Sequence, residues 1–389
     1  MYNRCHSKII IFMLICVSII LVGCSENSIT SENNSINKAV DGIKEELREY
    51  SYGNYDNLEF QCDIPSVNAS NFYTFSAKDP PSGSTDEDKV KIKNVMRIIY
   101  DLDVPMEKIV DFQVTDTFGN LTPAVPRYEE NGYGGEVYKD NPSFMFWHYK
   151  EELGNIDLNF PDGERYNVKD CPKTSYKMLD GSSFSVDDAI DQANEYITKL
   201  ENEKLFDEGE KQILTDVKIG NTGNGSVIIL HYRHIKEGLE IDDGGIITHY
   251  RDVDVNNGKM RNPFFEIIFA GNGYPCNIRN MYSDRLFDKK EADSIMSLSQ
   301  AEKRLAESLP PKVRYTVYDV GLRYCCTYKH NNEIRTYSPM WCFTVSDRHK
   351  SIKENFSQFF PRITYYVDAI NSDVYYCDSQ KEIFEKLKE

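Results

Sequence analysis

His231 and His234, in "HYRH", are the first residues whose types and spacing suggest chemistry. A zinc protease needs two histidines one helical turn apart with a glutamate between them. Tyr232 and Arg233 stand there instead. The surrounding "SVIILHYRHI" reads as a strand, which puts side chains three residues apart on opposite faces. Spacing and ligand set both fail, so no metal site is expected. "DVDVNNG", Asp252 to Gly258, has the acid density of a calcium loop. The sixth position from Asp252, however, is Asn257 rather than Gly, and the twelfth is Pro263 rather than Glu. An Asn-Gly hairpin turn accounts for the same residues. Asp242-Asp243 follows His231 and Arg233 by one expected turn. If the flanking strands pair, these four groups form a polar patch able to contact a partner. Otherwise they make a solvated turn with a surface ion pair worth under ~1 kcal/mol.

No G-x-S-x-G, G-x-x-x-x-G-K-[ST] or G-x-G-x-x-G occurs, so hydrolase, nucleotide and dinucleotide signatures are missing, and no catalytic residue or cofactor is expected. Convergent triads need no local motif, which keeps an enzyme among the alternatives. The cysteines outside the N-terminal region are Cys62, Cys171, Cys276, Cys325, Cys326, Cys342 and Cys377. They include no C-x-x-C and no histidine at ligand spacing. Buried free thiols are the expectation, with room for one isolated bridge. Trp341, between Met340 and Cys342, reads as a core anchor of the last sheet.

The N-terminus carries Arg4 and Lys8 and no acid, followed by fifteen residues, Ile9 to Gly23, that are apolar except for Ser18. This describes a secretory signal peptide. The run is short of the roughly 20 residues that cross ~30 Å of hydrocarbon. Its end, "LVGCS", resembles the bacterial lipobox. The resemblance implies cleavage before Cys24 and a diacylglyceryl group on its sulfur, anchoring the chain in the bilayer. Two acyl chains hold stably where one is marginal, at ~0.8 kcal/mol per buried CH₂. Residues 24–37, "CSENSITSENNSIN", are polar and read as a flexible tether.

Removing residues 1–23 leaves 43 Lys and Arg against 62 Asp and Glu. A chain this acidic is repelled by phosphate backbones and anionic lipid surfaces, so nucleic acid is not an expected partner. Apolar content of 40% and 12% aromatics predict packed cores. The 26 tyrosines leave a sugar-binding face as an alternative to ordinary strand packing.

Periodicity supplies the elements. Ile43 and Leu47 predict a short helix, and "LEFQCDI" and "FYTFSA" predict strands. Thr85 and Asp88 form a capping box for a helix carrying Val90, Val95, Met96, Ile98 and Ile99. Ser185 caps a second helix whose inward stripe is Ala189, Ala193, Tyr196, Ile197 and Leu200. Ser299 with Glu302 predicts a third capped helix. "YDVGLRYCCTYKH" then places Val320, Leu322, Tyr324, Cys326 and Tyr328 on one strand face. "YSPMWCFTVSD" and "ITYYVDAINSDVYY" each predict a further strand. The expected class is α+β, in two or three modules that each pack a helix on an antiparallel sheet. The boundaries are a signal peptide at 1–23, a tether at 24–37, and folded segments at 38–182, 183–296 and 297–389.

The helix starts "SVDDA" and "SLSQAEKRL", the stretch "HYRHIKEGLEIDDG" and the tail "YSPMWCF…YYVDAINSDVYY" resemble PepSY-like and YycH/YycI-type extracytoplasmic modules. The whole chain resembles uncharacterised lipoproteins of Firmicutes built from them. The likeness spans roughly residues 183–380 and departs at Ser372-Asp373, where the pattern has Gly and then an acid. It implies regulation of a protease or sensor kinase by binding, without catalysis. The expectation is a membrane-anchored extracytoplasmic protein with a protein or peptide partner. A solute-binding lipoprotein and a cell-wall hydrolase are the alternatives.

Overall fold

The computed structural model describes residues 40–78, 81–113, 124–148, 162–221, 224–242, 264–271, 273–281, 284–327, 334–347, 363–378 and 383–386. Cys24, the leader, the tether, Asp243 and the "DVDVNNG" turn lie outside them.

The helices are α1 (40–48), α2 (Asp86–Tyr100), α3 (Val186–Asn202) and α4 (Leu298–Ser308). In chain order the first strands are β1 (Leu58–Phe60), β2 (Tyr73–Lys78), β3 (Val110–Phe112), β4 (Val125–Glu130), β5 (Tyr133–Val137), β6 (Phe144–His148) and β7 (Asp162–Asn167). The middle adds β8 (Ser175–Lys177), β9 (Ser183–Ser185), β10 (Glu210–Asn221), β11 (Ser226–Lys236), β12 (Leu239–Ile241), β13 (Phe264–Phe269), β14 (Asn277–Met281) and β15 (Phe287–Glu291). The last are β16 (Tyr315–Thr327), β17 (Ile334–Asp347), β18 (Ile363–Asp368), β19 (Val374–Asp378) and β20 (Ile383–Lys386).

The fold is mixed α+β, dominated by one large, mostly antiparallel sheet. Nine strands run in the order β3-β4-β5-β6-β14-β13-β11-β10-β7, all antiparallel. The long β16–β17 hairpin centres the other half, with β18, β19 and β20 on one flank and β2 and β15 on the same edge further along. Among the described strands, β1 and β12 each pair with β16 in parallel.

Local chemistry explains the helices. Thr85 Oγ1 accepts from the Asp88 amide at 3.2 Å while the Asp88 carboxylate accepts from the Thr85 amide at 2.9 Å, so the capping box forms as expected. Ile92, Val95, Met96 and Ile99 are buried beneath α2, while Val90, two residues off that stripe, is 44% exposed. Ser185 caps α3, and Ala189, Ala193, Tyr196, Ile197 and Leu200 all point inward. Helix α4 starts earlier than its sequence suggests: Ser297 caps it, with Gln300 closing the box in place of Ser299 and Glu302. The earlier start buries Leu298 and turns Glu302 inside, where its Oε2 accepts from the Gly53 amide at 3.1 Å. Burial pushes the Glu302 carboxyl above its ordinary pKa.

Two main cores result. The first joins Ile92, Met96 and Ile99 of α2 and Ala189, Ala193 and Leu200 of α3 to strand residues such as Phe144, Leu230 and Phe265. The second joins Val40, Ile43 and Leu47 of α1 and Leu298, Ala301 and Leu305 of α4 to Phe75, Tyr324, Trp341 and Phe343. Thus α1, β1 and β2 pack with the last third of the chain. Trp341 is fully buried and donates its indole N–H to the Met296 carbonyl at 2.9 Å. Val320, Leu322 and Tyr324 share the face expected of them.

"ITYYVDAINSDVYY" is a hairpin of two strands rather than one. Asp368 Oδ1 accepts from the amides of Ile370 at 2.8 Å and Asn371 at 2.9 Å and so turns the chain. Ser372 then adopts φ +64°, where glycine alone is at ease. A left-handed non-glycine residue costs ~1–2 kcal/mol, partly offset by glycine's greater entropy loss on folding. Ser372→Gly is therefore expected to stabilise the chain by about 0.5–1 kcal/mol, read from denaturant unfolding. A destabilised variant would show that the serine side chain matters to this turn.

Candidate functional site

The first candidate site forms where β12 joins the two halves of the sheet. The β11–β12 turn uses Glu237 at φ +50° and Gly238 at φ +84°. A Cβ on Gly238 would stand 2.7 Å from Ala69 Cα, so the segment before β2 seats directly on this turn. Beyond the turn, Glu240 lies beside Arg323 and Ile241 beside Tyr324 in parallel register, and the Asp242 amide donates to the Tyr324 carbonyl at 2.8 Å. Glu240 and Asp242, two residues apart on a strand, share a face, and Arg323 lies between them.

Arg323 is buried. Its Nε donates to Glu240 Oε2 at 3.2 Å and its Nη2 to Asp319 Oδ2 at 2.7 Å, while Nη1 lies 3.6 Å from Asp242 Oδ1. Arg233 Nη1 donates to the same Glu240 oxygen at 2.8 Å. Tyr366, fully buried, donates its hydroxyl to Asp242 Oδ2 at 2.8 Å. Burial opposes the charge of Arg323, and Cys342, Asp319, Asp242 and Glu240 nonetheless hold its pKa well above the ordinary arginine value. Two guanidinium groups and three carboxylates from β11, β12 with the residue after it, and β16 thus meet in one cluster. Asp242, at 4% exposure, is an interior residue rather than part of a solvated turn.

His231 belongs to a different row. Asp216, His231, Glu266 and Arg279 stand in register across β10, β11, β13 and β14. His231 Nδ1 lies 3.2 Å from Glu266 Oε1. Arg279 donates to Glu266 Oε2 from Nε at 2.9 Å and Nη2 at 2.7 Å. Arg165 closes the row by donating to Asp216 Oδ2 at 2.9 Å. His234 points to the opposite face, as strand alternation requires, with its Nδ1 2.5 Å from Glu210 Oε1. Among the described residues, no three His, Cys, Asp or Glu side chains converge as metal ligands would. The expected four-residue patch is therefore divided: Arg233 and Asp242 share the Arg323 cluster, His231 sits in the Glu266 row, and Asp243 lies outside the described residues.

The second candidate site is a groove of about 490 Å³ between α4 and the β18–β19 turn. Ile295, Met296 and Ile370 contribute apolar surface, and Gln300, Lys303 and Arg304 rise along the helix side. Arg304 Nε donates to the Ser372 carbonyl at 3.0 Å, which ties helix to turn. Sequence reasoning passed over these residues. The available signal was that Lys303 and Arg304 lie off the Leu298-Ala301-Leu305 stripe and so must face away from the core.

Glu266 gives the first row a pH signature. Burial would raise its pKa, but Arg279 and His231 outweigh burial and depress it from 4.5 to about 2. A carboxylate with a depressed folded pKa contributes stability that is complete above its unfolded value and disappears as pH falls through the folded one. The stabilisation, about 3 kcal/mol, should thus fade between pH 4.5 and about 2. Glu266→Gln is expected to be much less stable than the parent at pH 7, with the gap closing over that window in denaturant titrations. A gap independent of pH would contradict it.

No family model matches the chain, and no curated protein does. Among solved structures, the chain is similar to an uncharacterised protein from Eubacterium rectale, with a TM-score of 0.51 and 14% identity. The match covers 86% of this chain and 98% of that one. At that identity the likeness speaks for the fold alone, and it places most of this chain within an architecture already seen in a crystal.

Proposed function

We propose that this chain is a lipid-anchored protein of the outer face of the cytoplasmic membrane that binds a protein or peptide partner and performs no chemistry of its own. The lipobox ending at Cys24, the polar stretch after it and the resemblance to binding modules support the placement. In this reading the two helix-on-sheet cores are the modules, and the α4 groove is where the partner sits.

The groove is the observation that carries the reading. It brings Ile295, Met296 and Ile370 together with polar and charged side chains, a mixture suited to recognition. Ile370 is 39% exposed at its edge, where a partner's apolar side chain can reach it. Lys303 and Arg304 line it together with Glu307, whose Oε1 lies 3.9 Å from Lys303 Nζ, so the groove carries both signs of charge. That mixed lining favours an extended segment offering an apolar side chain beside polar or charged groups.

Two experiments test the two halves of the proposal. Cys24→Ser should release the protein from the membrane fraction or leave it unprocessed; unchanged anchoring and processing would end the lipoprotein reading. Separately, the anchored protein should recover a reproducible partner from detergent-solubilised membranes. Lys303→Glu combined with Ile370→Asp should weaken that capture at least tenfold, about 1.4 kcal/mol. Both positions are on the surface, so stability should move by no more than about 0.5 kcal/mol per substitution. Capture that survives the double substitution would move the partner off this groove.

A further inference from the structure

We propose that residues 49–56, between α1 and β1, form a pH-sensitive strap, latched on α4 while Glu302 carries a proton and released when that proton leaves. Glu302 is 0% exposed on the inward side of α4, beside the core residues Ala301 and Leu305. Its Oε2 accepts from the Gly53 amide at 3.1 Å, and the Tyr50 hydroxyl faces the same carboxyl. Oε1 is buried with no hydrogen-bond partner among the described residues. A charged carboxylate oxygen taken out of water and left unpaired is costly. A proton removes that cost and lets the carboxyl donate to a tyrosine hydroxyl.

Both ends of the strap are pinned. Ile43 and Leu47 hold α1 in the second core, and Asn57 Nδ2 donates to the Ala306 carbonyl of α4 at 2.9 Å. Between the pins, Tyr52 stacks on Phe60 with ring centroids 4.2 Å apart, and its hydroxyl donates to the Asp63 carbonyl at 2.7 Å. A Cβ on Gly53 would stand 2.6 Å from the Tyr55 ring, which folds over the space that a larger residue would fill. Release therefore concerns the turn after α1, not the helix itself.

The titratable groups around the carboxyl are acids. Tyr50, Tyr52 and Tyr55 approach from the strap, Glu46 from α1 and Cys62 from the segment after β1. Asp319 of β16 bears on Tyr52 and Cys62, and Glu307 of α4 on Tyr55. The adjacent cations lie elsewhere: Lys303 lines the groove, and Arg304 donates to the Ser372 carbonyl. Burial, with Glu46, raises the Glu302 pKa and outweighs Tyr50 and the Gly53 amide. A carboxyl with a raised folded pKa contributes stability that is complete below its unfolded value of 4.5 and is lost as pH rises through the folded one. Opening of the strap should therefore become up to about tenfold more frequent per pH unit above 4.5, and level off beyond the folded pKa. Since α4 also walls the groove, a loosened strap frees that wall. This last consequence rests on the groove reading above; the strap does not.

The test is hydrogen–deuterium exchange of the full chain across a series of pH values, read by mass spectrometry with peptide fragmentation. The Gly53 amide, whose hydrogen bond goes to Glu302, is the reporter, and α3 is the internal standard. Rates are corrected for the intrinsic pH dependence of exchange. In the parent, protection of Gly53 should fall as pH rises, by up to about tenfold per unit, while α3 stays level. In Glu302→Gln, which keeps the acceptor for Gly53 and has no proton to lose, protection should stay flat. Glu46→Gln removes a like charge and so should make the fall level off at a lower pH. If Glu302→Gln fails to fold, the Glu46→Gln curve decides against the parent, and coincident curves would then sink the strap. Flat protection in the parent, or the same fall in the parent and Glu302→Gln, would overturn it outright. No partner enters the measurement, so its outcome is separate from that of the groove.

Discussion

Everything in this architecture depends on a buried guanidinium. Arg323 stands where the two halves of the sheet meet, and the strand that joins them, β12, is three residues long. So short a strand contributes few ladder bonds. Glu240 and Asp242 supply the remainder of the attachment by closing on Arg323 from its two sides. Taking such charges out of water costs several kcal/mol per ion, so the cluster adds little net stability compared with an apolar seam. Its value lies in selection. An apolar β12 could slide along β16 by two residues and bury nearly as well, whereas Glu240, Asp242 and Arg323 satisfy one another in one register only.

The same principle separates the polar groups on β11. Strand alternation sends His231 and Arg233 to one face and His234 to the other, and cross-strand register then decides each partner. His231 meets Glu266 because β13 is its neighbour, and Arg233 meets Glu240 because the strand hairpins there. These pairings position a sheet rather than a reaction. Glu266 is doubly held by Arg279, which fixes it as an anion instead of leaving it poised to move a proton.

What the sequence made legible was local. The Thr85 and Ser185 caps, the α3 stripe and the outward turn of His231 against His234 all follow from interactions within a few residues. The start of α4 was misread because Ser297 and Ser299 are both competent caps. The choice between them depends on burying Leu298 and on Gly53 receiving Glu302, a contact 249 residues away. The Arg323 cluster was illegible for the same reason. Glu240-Ile241-Asp242 has the composition of a polar turn, and nothing near it announces that a distant arginine needs two carboxylates. "ITYYVDAINSDVYY" concealed its turn because a serine occupies the left-handed position usually marked by glycine.

The membership of the second core has a consequence for how the chain is made. Strand β1 pairs Leu58 with Tyr315 and Phe60 with Val317. The residues of α1, β1 and β2 therefore leave the ribosome some 250 positions before the strands that shelter them. At ~5–20 residues per second that is a wait on the order of tens of seconds. During it Val40, Leu58, Phe72 and Phe75, all buried in the finished protein, have no partner surface to cover them. The first core, drawn from residues 92–278, can assemble in the interval. Delivery of the chain from its N-terminal side, whether from the ribosome or across a membrane, thus allows the middle to assemble first and joins the two ends last.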